Sequence, residues 1–253
     1  MPAPTKQTKR RFGLLDFIRI LLVLVILCAL GVIAYRLWDY KTGTDRYDQL
    51  QQQAVQPVEE TQEEGFVPLD IDFDALREEG PDIIGWIDFD SVEISYPIVY
   101  SGDNSYYLRR LWDGSYNQAG TLFLEGNNQS LDDLHAIVYG HNMLDGSMFK
   151  PLLQYLTPNF RQTHQDIYLE LNGAQYRYQV IAALETNTRS PVYTYTDLNN
   201  TAEMEDFRAA LLEETSLDAV PQAEGYLTLP TCNTQGGDSR VLVIAALVEE
   251  VQR

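Results

Sequence analysis

The chain has 253 residues, 45% of them apolar, enough for one substantial domain with a real core plus appendages. Its net charge of −19 is uneven: residues 1–36 carry +5, so the rest carries −24, which argues against a nucleic-acid partner because phosphate binding needs a basic footprint. The only cysteines are Cys28, inside an apolar run, and Cys232, so a disulfide framework is excluded and Cys232 stands as a free thiol.

In chain order, Ile20 to Tyr35 is an uncharged apolar run of about 24 Å as a helix, and extension to Phe17 and Trp38 reaches bilayer thickness. Lys6, Lys9, Arg10 and Arg11 precede it and Asp39, Asp45 and Asp48 follow, so the positive-inside rule puts the N-terminus in the cytoplasm and the remainder outside. Ala29-Leu30-Gly31 resembles a signal-peptide cleavage site but lies inside the apolar run, so an uncleaved anchor is the expectation. The expected organisation is a cytoplasmic N-terminus over 1–16, a transmembrane anchor over 17–38, a polar juxtamembrane stalk over 39–68 and a catalytic domain over 69–253.

A short helix is predicted over Phe73 to Glu79, stopped by Gly80-Pro81. Strands follow at Ile83 to Phe89, Val92 to Tyr100, Gly120 to Glu125 and His135 to Tyr139. Ile167 to Leu171 and Gln175 to Ala183 read as a hairpin about Asn172-Gly173. Tyr226 to Thr231 and Arg240 to Val251 complete the set, and helical patches fall at Ser105 to Leu111, Ser147 to Leu156 and Ala202 to Glu214. Many short strands with a few helices predict a mainly β protein, a closed β-barrel with inserted helices, behind one N-terminal transmembrane helix.

The chemistry concentrates near the C-terminus. Thr228-Leu229-Pro230-Thr231-Cys232 leads an apolar strand into a thiol, a polar connection follows, and Arg240 opens the next strand. A thiol is nucleophilic as its thiolate, which nearby cations favour, while the alternative is an inert buried cysteine. Of three histidines, His141 ends a strand at a glycine turn and is the candidate base; His135 and His164 read as ordinary strand-edge or surface histidines. Arg240 is either a surface or ion-pair residue or a donor to a developing oxyanion. One available cysteine and scattered histidines fall short of a zinc site, so no metal and no cofactor are expected.

These segments resemble the sortase family. Thr228-Leu229-Pro230-Thr231-Cys232 followed by Arg240-Val241-Leu242-Val243 is similar to its cysteine and arginine strands. Tyr139-Gly140-His141-Asn142-Met143, Gly85-Trp86-Ile87, Tyr96-Pro97-Ile98-Val99, Asp103-Asn104-Ser105-Tyr106-Tyr107-Leu108 and Gly120-Thr121-Leu122-Phe123-Leu124 resemble class B, over about residues 70 to 250. The resemblance implies an eight-stranded barrel with a helix before the cysteine strand, where Ala202 to Glu214 sits. It implies a membrane-anchored cysteine transpeptidase of surface-protein anchoring, with Cys232 as nucleophile, His141 as acid and base, and Arg240 at the oxyanion; Thr231, Leu229 and Asn142 are candidate substrate contacts, and the alternatives are a pilin-polymerising sortase, a hydrolytic thiol peptidase on the same site, or an anchored binding protein whose barrel has lost activity. The implied partners are secreted proteins with a C-terminal sorting signal, cut after threonine, and a cell-wall (peptidoglycan) precursor amine or a pilin lysine as acceptor. Pro230, Asn233 and the short connection to Arg240 depart from the class B pattern.

Overall fold

A computed structural model describes residues 13–56, 69–195, 201–232 and 237–252; the basic residues at 6–11, part of the expected stalk (57–68) and Asn233 lie outside them. The chain forms two compact units, the first ending at Thr42 and the second running from Gly43.

Helix α1 spans Leu14–Ala54. No proline interrupts it, and in the first unit its apolar side chains from Ile20 to Trp38 are solvent-exposed, in a stretch long and apolar enough to cross a membrane. In the second unit the last turns of α1 behave otherwise. Tyr47, Leu50 and Ala54 are buried, at spacings of three and four residues that align them on one face. The Tyr47 ring meets Tyr96 and Trp112 edge-on at 5.1 and 4.9 Å, and Arg46 pairs with Asp113 at 2.7 Å. Residues 43–54 therefore pack on the folded domain, where the polar composition suggested a stalk; three apolar positions among Gln and Asp are enough to dock a helix face. A two-stranded ribbon of β1 (Val55–Gln56) and β2 (Asp70–Ile71) follows.

Helix α2 (Phe73–Glu79) is capped by the Asp72 carboxylate, which accepts from the Ala75 amide at 2.9 Å. The barrel strands are β3 (Ile83–Phe89), β4 (Ser95–Val99), β5 (Leu122–Leu124), β6 (His135–Tyr139), β7 (Asp166–Leu171), β8 (Ala174–Asn187), β9 (Tyr226–Cys232) and β10 (Ser239–Gln252). They close in the order β10-β8-β7-β3-β4-β5-β6-β9, the eight-stranded barrel expected. The β7–β8 hairpin turns at Gly173, whose φ of +94° suits glycine. The expected helices at 105–111 and 147–156 are 3-10 turns over Tyr106–Arg109 and Lys150–Leu156, and the strand expected from Val92 begins at Ser95.

Trp86, Ile87, Ile98, Leu122, Ile137, Leu229 and Val243 of the barrel strands are fully buried, each contributing roughly 1.5–3 kcal/mol by leaving water. Helices α3 (Pro158–Thr163) and α4 (Pro191–Thr194) are short. Helix α5 (Thr201–Glu214) lies outside the barrel and covers Tyr226 of β9 with Leu242 and Ile244 of β10 through Met204, Phe207 and Leu211. This second cluster fixes the outer face of the cysteine strand.

Candidate active site

Two pairings of β9 build the site. Along one edge β9 runs parallel to β6, with His135, Ala136 and Ile137 opposite Tyr226, Leu227 and Thr228. Along the other it runs antiparallel to β10, and Arg240 lies directly opposite Cys232. Directly opposed residues project from the same face with Cβ atoms about 4.5–5.5 Å apart, so the guanidinium and the thiol share a face. Cys232 is exposed, unlike the rest of its strand, at the end of β9, four residues past the last pairing with β6.

Beyond Tyr139 the β6 chain is laced to the end of β9. The Gly140 amide donates to Pro230 O at 3.4 Å, Thr231 Oγ1 donates to Gly140 O at 3.0 Å, and Asn142 Nδ2 donates to Cys232 O at 2.7 Å. A side chain at Gly140 would collide with Phe149 and Leu122, so the close approach requires glycine. These bonds set His141 beside the end of the cysteine strand.

His141 Nε2 lies 2.6 Å from Leu108 O. A carbonyl only accepts, so Nε2 carries a proton and, in the neutral ring, Nδ1 holds the free lone pair. Burial pulls the imidazole pKa below the ordinary histidine value; the Leu108 carbonyl acts against this and the nearby Arg109 charge acts with it. No hydrogen bond joins His141 to Cys232 among the described residues. The loop after His141 is tightly built: Asn142 and Met148 form a bridge, the Asp145 carboxylate accepts from the Ser147 amide and hydroxyl, and the Phe149 amide returns to His141 O at 2.9 Å. Met148, at φ +56°, is the one non-glycine residue with positive φ among those described.

Cys232, His141 and Arg240 line one open cleft of about 360 Å³, with Leu108, Tyr139 and Pro230 among its walls. Arg240 NH1 donates to Gly237 O and Ser239 O at 2.9 and 3.0 Å, holding the side chain against its own turn; among the described residues no bond uses its Nε or NH2. Pro230 leaves the β10 ladder intact. Its carbonyl points toward Gly140, and a residue's missing N–H points to the same side as its carbonyl, away from the β10 ladder.

The other candidate contacts separate. Thr231 lines the cleft with its hydroxyl bonded to Gly140, whereas Leu229 is fully buried in the barrel and Asn142 spends its amide on the Cys232 carbonyl. His135 is not a strand-edge residue: it is 1% exposed, with Nδ1 2.6 Å from Tyr195 O and Nε2 2.7 Å from Thr228 Oγ1. It must donate from Nδ1 and accept at Nε2, and burial pushes its pKa down to about 4. Leu108 acts through its backbone, which no side-chain pattern reveals. Asn104, also in the cleft, is fixed by Glu125 Oε1 at 2.7 Å and the Gly126 amide at 2.7 Å.

A family model described as a sortase domain matches residues 87–248. Sortase B of Listeria monocytogenes is 34% identical over 164 residues, which span 63% of this chain and 66% of that protein. Sortase B of Staphylococcus aureus is 26% identical over 245 residues, spanning 93% and 97%. A crystal structure of sortase B from B. anthracis superposes with a TM-score of 0.69 at 28% identity, covering 86% of this chain and all of that one. The chain belongs to the sortase family of cysteine transpeptidases, within class B.

Proposed function

We propose that this protein cleaves the C-terminal sorting signal of secreted proteins after threonine and transfers the acyl group to an amine of a cell-wall precursor. The observation that carries the reading is the opposed pair Cys232 and Arg240 in one cleft with His141. The Cys232 thiolate attacks the threonine carbonyl, forming a C–S bond and pushing the carbonyl electrons onto oxygen. Arg240 stabilises that oxyanion through Nε and NH2, which make no bond among the described residues. Collapse breaks the C–N bond, and His141 supplies the proton the leaving amine needs. Because Nε2–H is committed to Leu108 O, Nδ1 is the atom that moves protons. It gives one to the leaving amine and takes one from the incoming amine, whose nitrogen attacks the thioester and releases the thiolate.

The apolar stretch of α1 anchors the protein in a single pass, with residues 1–16 cytoplasmic and the barrel outside, where secreted substrates and wall precursors meet it. The cleft is open and partly apolar, which suits an extended peptide with a proline in its motif.

The test is product analysis by mass spectrometry with a sorting-signal peptide and an oligoglycine or diamino acid acceptor. Cys232→Ala abolishes both cleavage and transfer, and His141→Ala lowers transfer by roughly 10²–10⁴-fold. Transfer by Cys232→Ala at the rate of the unsubstituted protein refutes the assignment. Hydrolysis without transfer in the presence of acceptor refutes the transferase reading alone.

A further inference from the structure

Tyr47 stands on the last turns of α1 and reaches both supports of His141. On one side its hydroxyl donates to Gly120 O at 2.5 Å, in the interior. Gly120, at φ +62°, presses against the segment that carries Leu108: a Cβ there would lie 2.5 Å from Tyr107 O and 2.6 Å from Leu108 O. The next residue is bonded to the same segment twice, Thr121 N to Tyr107 O at 3.1 Å and Thr121 Oγ1 to Arg110 O at 3.0 Å. The Leu108 carbonyl so positioned receives His141 Nε2–H at 2.6 Å. On the other side the Tyr47 ring packs edge-on against Tyr96 at 5.1 Å. The Tyr96 hydroxyl accepts from the amide of Met148 at 3.2 Å, the strained residue that closes the loop after His141. Both routes start at one buried phenol and end at the two ends of the imidazole's local frame.

We propose that Tyr47 is a positioning residue for His141, holding the Leu108 carbonyl and the 142–148 loop so that the imidazole keeps its proton on Nε2. The proposal rests on the reading of His141 as the acid and base of transfer. Tyr47 touches neither substrate nor thiol. It acts by keeping a buried acceptor, Gly120 O, satisfied; without the hydroxyl that carbonyl is left unpaired, and the turn relaxes to find a new donor. The Leu108 carbonyl then leaves Nε2–H for part of the time, and Nδ1 no longer holds the sole lone pair.

The experiment uses the full chain in detergent micelles with ring-¹⁵N-labelled histidine, which gives only three imidazoles to resolve. Two quantities are read: the solvent-exchange rate of the His141 Nε2 proton, and kcat for transfer of a sorting-signal peptide. In Tyr47→Phe the ring stays and the hydroxyl goes; the exchange rate rises and kcat falls, each by about tenfold. Tyr96→Phe, which loosens only the Met148 side, moves both in the same direction by less. Val180→Ala on β8, opposite β5 in the strand order, thins the core and leaves the exchange rate unaltered. An unchanged exchange rate in Tyr47→Phe overturns the proposal, as does an equal rise in Val180→Ala. Should Tyr47→Phe not fold, an unchanged rate in Tyr96→Phe overturns it. If the unsubstituted protein shows no transfer, the transferase reading fails, while the exchange comparison still decides the role of Tyr47.

Discussion

Replacing His135 by glutamine removes a proton-binding group whose folded and unfolded states differ widely. The side chain is 1% exposed, against Phe207 of α5, and burial lowers its pKa to about 4 from an ordinary value of about 6.5. Between those values the unfolded chain binds the proton and the folded one does not, so the stability that neutral His135 preserves is complete above about pH 6.5 and is lost as the pH falls toward 4. At pH 4.5 the unfolded imidazole is almost fully protonated and the folded one about a quarter protonated, so the loss between pH 7.5 and 4.5 is about 2.5 kcal/mol. Urea unfolding followed by tryptophan fluorescence at both pH values, with the full chain in micelles, measures it. His135→Gln lowers stability at pH 7.5 by breaking the bonds to Tyr195 O and Thr228, but its further loss on going to pH 4.5 is smaller than that of the unsubstituted protein by about 2.5 kcal/mol. All other titrating groups are common to both chains and cancel in the difference. Equal acid sensitivity, within about 0.5 kcal/mol, refutes the buried neutral imidazole.

Gly120→Ala combines a left-handed φ of +62° with a Cβ pressed on two carbonyl oxygens, so it lowers stability by at least about 2 kcal/mol in urea unfolding, and a smaller loss refutes the close approach. Phe207→Ala opens the cluster between α5 and β9 and costs about 3–5 kcal/mol, read as a lowered urea midpoint with an unchanged slope. The His141 imidazole, followed by NMR, titrates with a midpoint below the ordinary 6.5, so at neutral pH its acid form is the minority species; a midpoint at or above 6.5 contradicts the burial seen here.

The strands were legible because alternating or continuous apolar runs bounded by turn residues have few other uses: Ile83–Phe89 and His135–Tyr139 occupy the predicted positions, and the Asn172-Gly173 turn announced its hairpin. The helical patches at 105–111 and 147–156 were legible as local turns but not as 3-10 geometry, which depends on how the flanking strands pull the chain. Two features escaped for a physical reason. His135 sits at the start of a strand that pairs with β9 and is roofed by α5, and nothing local records that roof. The docked face of residues 43–54 is three side chains wide, and its polar neighbours dominate any composition-based reading. The bond from His141 to the Leu108 carbonyl lies further still from sequence, since every residue has a carbonyl and only the fold decides which one faces an imidazole.

The parallel pairing of β6 with β9 bears on how the molecule comes into being. It joins segments about 90 positions apart, Gly140 and Thr231 among them, and the entropy of closing so long a loop is met only once β9 can dock on both neighbours. Synthesis delivers β9 and β10 after the other six barrel strands. Until then the emerging chain carries His141 without Cys232 beside it. When Cys232 arrives, the same zippering that seats β9 against β6 also brings Arg240 opposite it. Barrel closure and assembly of the cleft go together, and the order of the strands ties the arrival of the Cys232 thiol beside His141 and Arg240 to the completion of the fold.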